Sequence, residues 1–325
     1  MTEYRQLGNS GLTVSVVGLG CNNLGRSGTP TESQEGTNTV IHAALDAGIT
    51  LFDVADVYGK RPGLSEEMLG TALAGRREDA IVATKFGMDM SGANGADWGH
   101  RGSRRYIIKA AEASLRRLKT EWIDLYQFHT PDNGTPIEET LAALDDLVAA
   151  GKVRYIGHSN RAGWQIAEAE FAARLGGWTP FISSQNHYNL LDRRAELEVT
   201  PAAEAYGLGV LPYFPLANGL LTGKYSTGNA PAGSRLTHSR QNLLEKADYG
   251  QLGEFSAFCA ERGLTEVQVA FSWLASRPSV GSVIAGATTV EQVRANASAA
   301  SWVPGGADLA ELEAIFPAAP KVALF

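Results

Sequence analysis

The feature that most limits the possible folds is a regular alternation of short apolar runs with longer amphipathic stretches along the chain. The apolar residues in these runs are mostly continuous, which is typical of parallel strands buried on both faces. We predict strands near 16–20, 49–54, 80–86, 122–129, 153–159, 181–188, 209–215 and 281–286. The stretches between them have helical spacing, and a strand–helix repeat of this kind predicts a (β/α)8 barrel.

Other segments favour a barrel over an open doubly wound sheet. The first predicted strand leads into "GLGCNNLG", which lacks the G-x-G-x-x-G spacing of a dinucleotide-binding sheet. Residues 1–15 resemble a β-hairpin with "GNSG" as its turn, and we expect this hairpin to cover the barrel floor. The long connections 87–103 and 216–249 follow strand ends and are expected on the catalytic face. We treat 1–325 as one barrel domain.

Composition excludes several classes of protein. The net charge of −7 and the pI near 5.5 argue against a general nucleic-acid binder. Only Cys21 and Cys259 are present, which excludes a disulfide framework and favours a reducing compartment. Because no segment has the apolar length of a signal peptide core or membrane span, we expect a cytoplasmic protein without membrane partners.

Polar side chains that follow neighbouring strands point to proton-transfer chemistry. Asp53, Tyr58, Lys85 and His129 fall at the ends of the second, third and fourth predicted strands. An ammonium group stabilises a phenolate, and a carboxylate keeps the ammonium charged, so the expected effect is a lowered tyrosine pKa. A histidine beside them can polarise a substrate carbonyl. This set suits carbonyl reduction but supplies no electrons, so a cofactor must.

Structural explanations remain open for single members of this set. Asp53 alone is a plausible turn residue, and His129 alone is a plausible structural histidine. We expect Asp56 to order a loop and His158 to be structural. The histidines show no metal-binding spacing, so we expect no metal. No G-x-S-x-G motif is present, so a hydrolase would lack its nucleophile elbow.

Several segments, in order from about residue 4 to 297, resemble motifs of the aldo-keto reductase superfamily. They are "LFDVADVYG", "SEEMLG", "IVATKFG", "SLRRLKTEWIDLYQFHTPD", "GKVRYIGHSN", "PYFPLANGLLTGKY" and "GATTVEQVRANAS". The last segment is most similar to the subgroup that includes voltage-gated potassium-channel β-subunits and related bacterial reductases. The resemblance implies hydride transfer from nicotinamide C4 to an aldehyde or ketone carbonyl.

The resemblance also implies a role for each member of the polar set. Tyr58 matches the general acid, Lys85 and Asp53 match the pair that tunes it, and His129 matches the residue that orients the carbonyl.

A cofactor site follows from the same resemblance. Ser159, Asn160 and Gln185 match residues that hold the nicotinamide carboxamide, and Tyr213 matches the aromatic residue that stacks on the ring. The other expected cofactor-binding residues are Gly20, Cys21, Phe214, Pro215, Leu216, Gly219, Lys224, Arg235, Gly286, Thr288, Gln292 and Asn296.

Within that list, individual residues have specific expected roles. Lys224 and Arg235 resemble the basic clamp over the phosphates, and Thr288 and Gln292 match contacts to a 2′-phosphate, which favours NADPH over NADH. Phe214 replaces the serine usual in the family, and Ala295 replaces a glutamate that contacts adenine.

The substrate and two other function classes stay open at this point. Leu24, Met88 and Trp98 are expected to line an apolar substrate pocket. A cofactor-binding, redox-sensing regulatory subunit with weak catalysis is the main alternative. A metal-dependent or sugar-phosphate barrel enzyme would need ligand clusters that the sequence lacks.

Overall fold

The computed structural model describes residues 2–226, 236 and 241–318. Eight parallel strands lie side by side in one curved sheet, in the spatial order β10-β3-β4-β5-β6-β7-β8-β9. Their bounds are β3 Val17–Gly20, β4 Leu51–Asp53, β5 Ile81–Phe86, β6 Ile123–Phe128, β7 Val153–Ser159, β8 Ser183–Gln185, β9 Gly209–Val210 and β10 Val283–Gly286.

The two edges of this sheet meet, which closes the barrel. Val210 donates its backbone N–H to Ser279 O at 2.6 Å, and Gly281 donates to Val210 O at 2.9 Å. Ile284 donates to Pro212 O at 3.1 Å farther along the same edge. The predicted (β/α)8 barrel is therefore confirmed.

Two predicted strands, 181–188 and 209–215, are longer than the strands observed. β8 ends at Gln185 and β9 at Val210. Pro212 has no N–H to donate, so it interrupts the ladder. Beyond it, only an isolated parallel bridge between His187 and Tyr213 continues the pairing.

Helices surround the barrel in the order expected from the strand–helix repeat. The described α-helices are α1 Gln34–Asp46, α2 Leu64–Ala72, α3 Arg104–Leu118, α4 Ile137–Ala149, α5 Gly163–Gly176, α6 Ala195–Tyr206, α7 Gln241–Glu245, α8 Tyr249–Glu261, α9 Glu266–Ala275, α10 Val290–Ser298 and α11 Gly306–Ile315. None of the helices in the described part of the chain combines the length and the apolar character of a membrane span.

The N-terminal hairpin covers the floor of the barrel, as expected. Its strands β1 (Tyr4–Gln6) and β2 (Thr13–Ser15) are antiparallel, and Leu7 donates to Leu12 O at 2.8 Å across the turn. Leu7 and Val14 are fully buried against apolar side chains that point into the barrel. That inner cluster comprises Leu7, Val14, Leu51, Ala83, Leu125, Leu211 and Ile284.

Candidate active site

A layer of polar side chains lies above the apolar floor, at the carboxyl ends of the strands. Because side chains alternate along a strand, Lys85 points inward like Ala83, and Gln127 points inward like Leu125. Lys85 pairs with Gln127 across β5 and β6, and Ser159 pairs with Gln185 across β7 and β8. This end of the barrel is called the mouth below.

The centre of the layer is a buried ion pair. Lys85 Nζ donates to Asp53 Oδ1 at 2.8 Å, to Asp53 Oδ2 at 2.7 Å and to Val54 O at 2.9 Å. These three contacts match the three N–H groups of an ammonium. Burial lowers the pKa of Lys85, but the Asp53 carboxylate, together with Tyr58 and Cys21, more than offsets this, so the pKa of Lys85 is raised. The ammonium is therefore charged and held in one place.

Two glutamines also donate hydrogen bonds to the Asp53 carboxylate. Gln185 Nε2 donates to Asp53 Oδ1 at 2.8 Å, and Gln127 Nε2 donates to the same oxygen at 3.2 Å. Gln127 was missed in the sequence analysis. Its position in the sequence could have indicated its role. Gln127 lies two residues after Leu125 and so points inward, in a strand whose other inward residues are apolar.

Tyr58 lies beside this ion pair, on a turn that backbone hydrogen bonds hold in place. Ser65 donates its N–H to Tyr58 O at 3.1 Å, and Tyr58 donates its own to Ala55 O at 3.1 Å. The Lys85 ammonium lies 5.2 Å from the centroid of the Tyr58 ring. Burial raises the pKa of Tyr58, Lys85 opposes the shift, and the net direction is upward. The phenol is therefore in its protonated, donor form at neutral pH.

His129 completes the group at the mouth. Its ring centroid is 5.9 Å from that of Tyr58, with the two planes at 83°. Burial, with a smaller contribution from Lys85, lowers the pKa of His129 to about 3. Its imidazole is thus neutral at physiological pH, and a neutral imidazole can donate one hydrogen bond without carrying charge.

The residues expected to hold the nicotinamide carboxamide form one hydrogen-bonded set. Ser159 Oγ donates to Gln185 O at 2.7 Å, and Asn160 Nδ2 donates to Ser159 Oγ and His129 O, each at 3.0 Å. Tyr213 OH donates to Asn160 Oδ1 at 2.8 Å. Asn160 has a φ of 58°, in the left-handed region that asparagine tolerates better than most residues. The structure brings all four together next to the ion pair.

Two residues, His187 and Asn189, contact the segment that carries Tyr213. The His187 ring stacks on the Tyr213 ring at 5.4 Å and an interplanar angle of 7°. Asn189 Nδ2 donates to Phe214 O at 2.9 Å, where Phe214 has a φ of 54°. This left-handed conformation is costly for a bulky residue, so the Asn189 contact stabilises the turn. No local sequence pattern predicted this role of Asn189.

The segment after Tyr213 turns through three successive residues with positive φ. Ala217, Asn218 and Gly219 have φ values of 48°, 61° and 109°. Within this turn the Ala217 N–H donates to Phe214 O at 2.9 Å and the Gly219 N–H donates to Leu216 O at 2.7 Å. A Cβ at Gly219 would lie 3.5 Å from Lys224 Nζ, so the ammonium lies close to this turn. Pro215 and Leu216 lead into it, and Arg235 lies outside the described residues.

The residues expected at the far end of the cofactor lie after β10. Gln292 Oε1 accepts from Thr288 N at 2.8 Å and from Thr288 Oγ1 at 3.2 Å, next to the N-terminus of α10. Asn296 Nδ2 donates to Gly286 O at 3.4 Å. Gly286 pairs with Gly20, which in turn pairs with Asp53, so this end connects to the mouth through adjacent strands.

The remaining expected site residues are less closely grouped. Cys21 is buried directly after β3, and burial raises the pKa of its thiol. Leu24 is 1% exposed, whereas Met88 is 38% and Trp98 is 70% exposed. The Arg105 guanidinium lies 4.3 Å from the centroid of the Trp98 ring. Only Met88 and Trp98 therefore offer substantial surface to another molecule.

Comparison with known proteins identifies the family. The model of the aldo/keto reductase family matches residues 16–315. The oxidoreductase YrpG of Bacillus subtilis (strain 168) is 42% identical over 299 residues, which cover 90% of this chain and 89% of that protein. A probable voltage-gated potassium channel subunit beta of Oryza sativa subsp. japonica is 36% identical over 312 residues, covering 93% and 92%.

A named reductase is also similar over most of its length. The L-glyceraldehyde 3-phosphate reductase of Escherichia coli (strain K12) is 34% identical over 312 residues, which cover 91% of this chain and 87% of that protein. The match of the family model to nearly the whole barrel leads to one conclusion: the chain belongs to the aldo/keto reductase family, and it is an oxidoreductase.

Proposed function

We propose that the protein is an NADPH-dependent reductase of aldehydes or ketones, with Tyr58 as the general acid. The observation that carries the proposal is the Lys85 ammonium, held by both Asp53 oxygens beside the Tyr58 phenol. General acid catalysis needs a proton donor in its protonated form, and the raised pKa of Tyr58 meets that condition.

The proton transfer follows from these charges. As a carbonyl oxygen gains negative charge, it becomes a stronger base than a phenolate and takes the Tyr58 proton. The phenolate left behind is stabilised by the Lys85 ammonium, which makes no comparable contribution to the neutral phenol. Neutral His129 donates a hydrogen bond to the same carbonyl oxygen and orients it.

The residues around Tyr213 fit the cofactor. Ser159, Asn160 and Gln185 offer amide and hydroxyl groups to a carboxamide, and the Tyr213 ring offers an aromatic face. The Lys224 ammonium beside the left-handed turn suits a pyrophosphate, and Thr288 and Gln292 suit a 2′-phosphate at the N-terminus of α10. When bound, the reduced nicotinamide supplies the hydride that the protein lacks.

Tyr58→Phe tests this mechanism, because it removes the acidic proton and leaves the ring. We expect kcat for reduction of 4-nitrobenzaldehyde with NADPH to fall about 10²- to 10⁴-fold, the usual contribution of a general acid. The NADPH dissociation constant, measured by fluorescence titration, should stay the same. A variant that reduces the aldehyde at the wild-type rate would show that Tyr58 is not the acid.

A second candidate is a cofactor-binding regulatory subunit with weak catalysis. The observation that favours it is the 36% identity to a probable potassium channel subunit beta. The two candidates differ in turnover and in cofactor release. Fast multiple turnover with a free aldehyde supports the reductase, whereas slow NADP⁺ release that limits turnover to a few cycles supports the regulatory subunit.

A further inference from the structure

A buried cluster of polar side chains lies outside the barrel, between β5 and the helices α2 and α3. It consists of Asp56, Glu66, Thr84, Asn94 and Arg117, and is called the Asp56 cluster below. Asp56, Glu66 and Thr84 are fully buried, Asn94 is 6% exposed, and the Arg117 side chain is 13% exposed. The proposed mechanism assigns no role to any of these residues.

Hydrogen bonds join the cluster into one continuous chain of contacts. Asn94 Nδ2 donates to Asp56 Oδ2 at 2.9 Å, and Arg117 Nη1 donates to Asn94 Oδ1 at 3.0 Å. Arg117 Nε donates to Glu66 Oε2 at 2.6 Å, and Thr84 Oγ1 donates to Glu66 Oε1 at 2.6 Å. Both ends of the Asn94 amide are therefore used inside the cluster.

Asn94 is the polar anchor of the 87–103 loop. This loop carries the exposed Met88 and Trp98, and most of its residues are exposed or partly exposed. Its buried side chains are Met90 and Asn94. Since Asn94 bonds to Asp56 and Arg117, removing its amide would leave buried polar atoms on both without that partner.

Asp56 belongs to the turn that carries Tyr58. The Asp56 N–H donates to Lys85 O at 3.2 Å, and Asp56 O accepts from Gly63 N at 2.6 Å. Tyr58 is two residues farther along the same turn. The Asp56 side chain thus connects the general-acid turn to the loop above the mouth.

The surroundings of Asp56 favour its neutral form. The Arg117 guanidinium forms its ion pair with Glu66, and Asp56 has no ion pair with it in the described part of the chain. Burial, with Glu66 as a second cause, raises the pKa of Asp56 well above its usual range. A neutral side chain of the same shape, such as asparagine, should therefore be tolerated there.

We propose that Asp56 and Asn94 are positioning residues that hold the 87–103 loop against the Tyr58 turn, so that one cluster sets both the substrate pocket and the general acid. The kinetic part rests on the proposed reductase function. The structural part, that the loop and the turn are held together, does not.

Asn94→Ala tests the connection directly, since Asn94 lies on a surface loop away from the barrel core. We expect kcat/KM for 4-nitrobenzaldehyde to fall roughly 10-fold, the size expected for loss of buried hydrogen bonds. Hydrogen exchange should become faster in 87–103 and also in 56–63, with the NADPH dissociation constant unchanged. Asp89→Ala is the matched control, because it removes an exposed carboxyl group from the same loop.

Variants of Asp56 separate positioning from bulk structure. Asp56→Asn should keep the wild-type kcat/KM and the wild-type protection from hydrogen exchange. Asp56→Ala should show the same fall in kcat/KM and the same faster exchange as Asn94→Ala. The double variant Asp56→Ala/Asn94→Ala should be no worse than either single variant, since both break the same contact.

Three results would overturn the proposal. The first is an Asn94→Ala variant whose amide hydrogens exchange faster in 87–103 alone and whose kcat/KM equals that of Asp89→Ala. The second is an Asp56→Asn variant whose kcat/KM falls as far as that of Asp56→Ala. The third is a double variant whose loss of kcat/KM is the product of the two single losses. If the wild type reduces no aldehyde, the proposed function fails, and the exchange data alone decide whether the cluster joins loop and turn.

Discussion

At the scale of single residues, burial sets the direction of the pKa shifts of Tyr58 and His129, whereas at Lys85 the neighbouring charges together outweigh burial. The sequence predicts a lowered pKa for Tyr58, since a lysine is expected nearby. Lys85 does act in that direction, but burial outweighs it and the pKa of Tyr58 is raised. His129 follows the same rule, because burial is also the largest cause of its lowered pKa. Desolvation depends on packing, which residue identities alone do not give.

The lowered pKa of His129 predicts a pH dependence of stability. Folded His129 stays neutral down to about pH 3, whereas its unfolded form binds a proton below about pH 6.5. The unfolded state binds more protons in this window, so stability falls as the pH is lowered from 6.5 towards 3.

His129→Asn removes this titration and provides the comparison. Between about pH 7 and pH 5, the wild type should lose roughly 2 kcal/mol more free energy of unfolding than the variant does. Urea titrations of both proteins at each pH measure this free energy of unfolding. Parallel pH dependences for the two proteins would contradict the buried, neutral state of His129.

At the scale of elements, close approach between helices positions the active-site turn. Gly70 lies within α2, and a Cβ on it would overlap with the Leu118 carbonyl at the end of α3. The first turn of α2 contributes the Ser65 N–H that donates to Tyr58 O and the Ser65 hydroxyl that donates to Cys21 O at 2.7 Å. The distance between α2 and α3 therefore affects the general-acid turn.

Gly70→Ala should push these two helices apart. We expect a loss of about 1–3 kcal/mol in the free energy of unfolding, the usual cost of overpacking, together with a lower kcat. Gly253→Ala in α8 is the control, because a Cβ there meets nothing within 4 Å. The control should be stabilised by about 1 kcal/mol through helix propensity. Urea unfolding that ranks the two variants in the reverse order would exclude a close contact at Gly70.

At the scale of the whole molecule, stability and chemistry lie at opposite ends of the barrel. The hairpin places Leu7 and Val14 on the floor, and the polar layer lies at the mouth. The floor side chains form one apolar cluster. In barrels of this type, substitutions at the floor are expected to affect stability and those at the mouth to affect catalysis.

Leu7→Ala tests this separation. The variant should lose about 2–5 kcal/mol in the free energy of unfolding, as buried leucines do. At a temperature where it remains folded, its KM and kcat should match those of the wild type. Leu175→Ala, at a position 88% exposed on α5, should change neither quantity. Kinetic constants altered by Leu7→Ala would mean that floor and mouth are coupled.

The sequence by itself determined the barrel, the floor hairpin and the grouping of Asp53, Tyr58, Lys85 and His129 at one end. These features depend on local patterns: continuous apolar runs define buried parallel strands, and residues that follow such strands share one edge of the sheet. Nothing beyond periodicity and position relative to a strand is needed for them.

Only the tertiary structure decided which side chains support these residues. Gln127 and Gln185 bond to Asp53 across 74 and 132 positions, and Asn94 bonds to Asp56 across 38. The left-handed conformation of Phe214 depends equally on a distant partner, Asn189. Contacts between residues so far apart leave no periodic signal, because they exist only after the barrel has closed and brought separate strands, turns and loops within hydrogen-bonding distance.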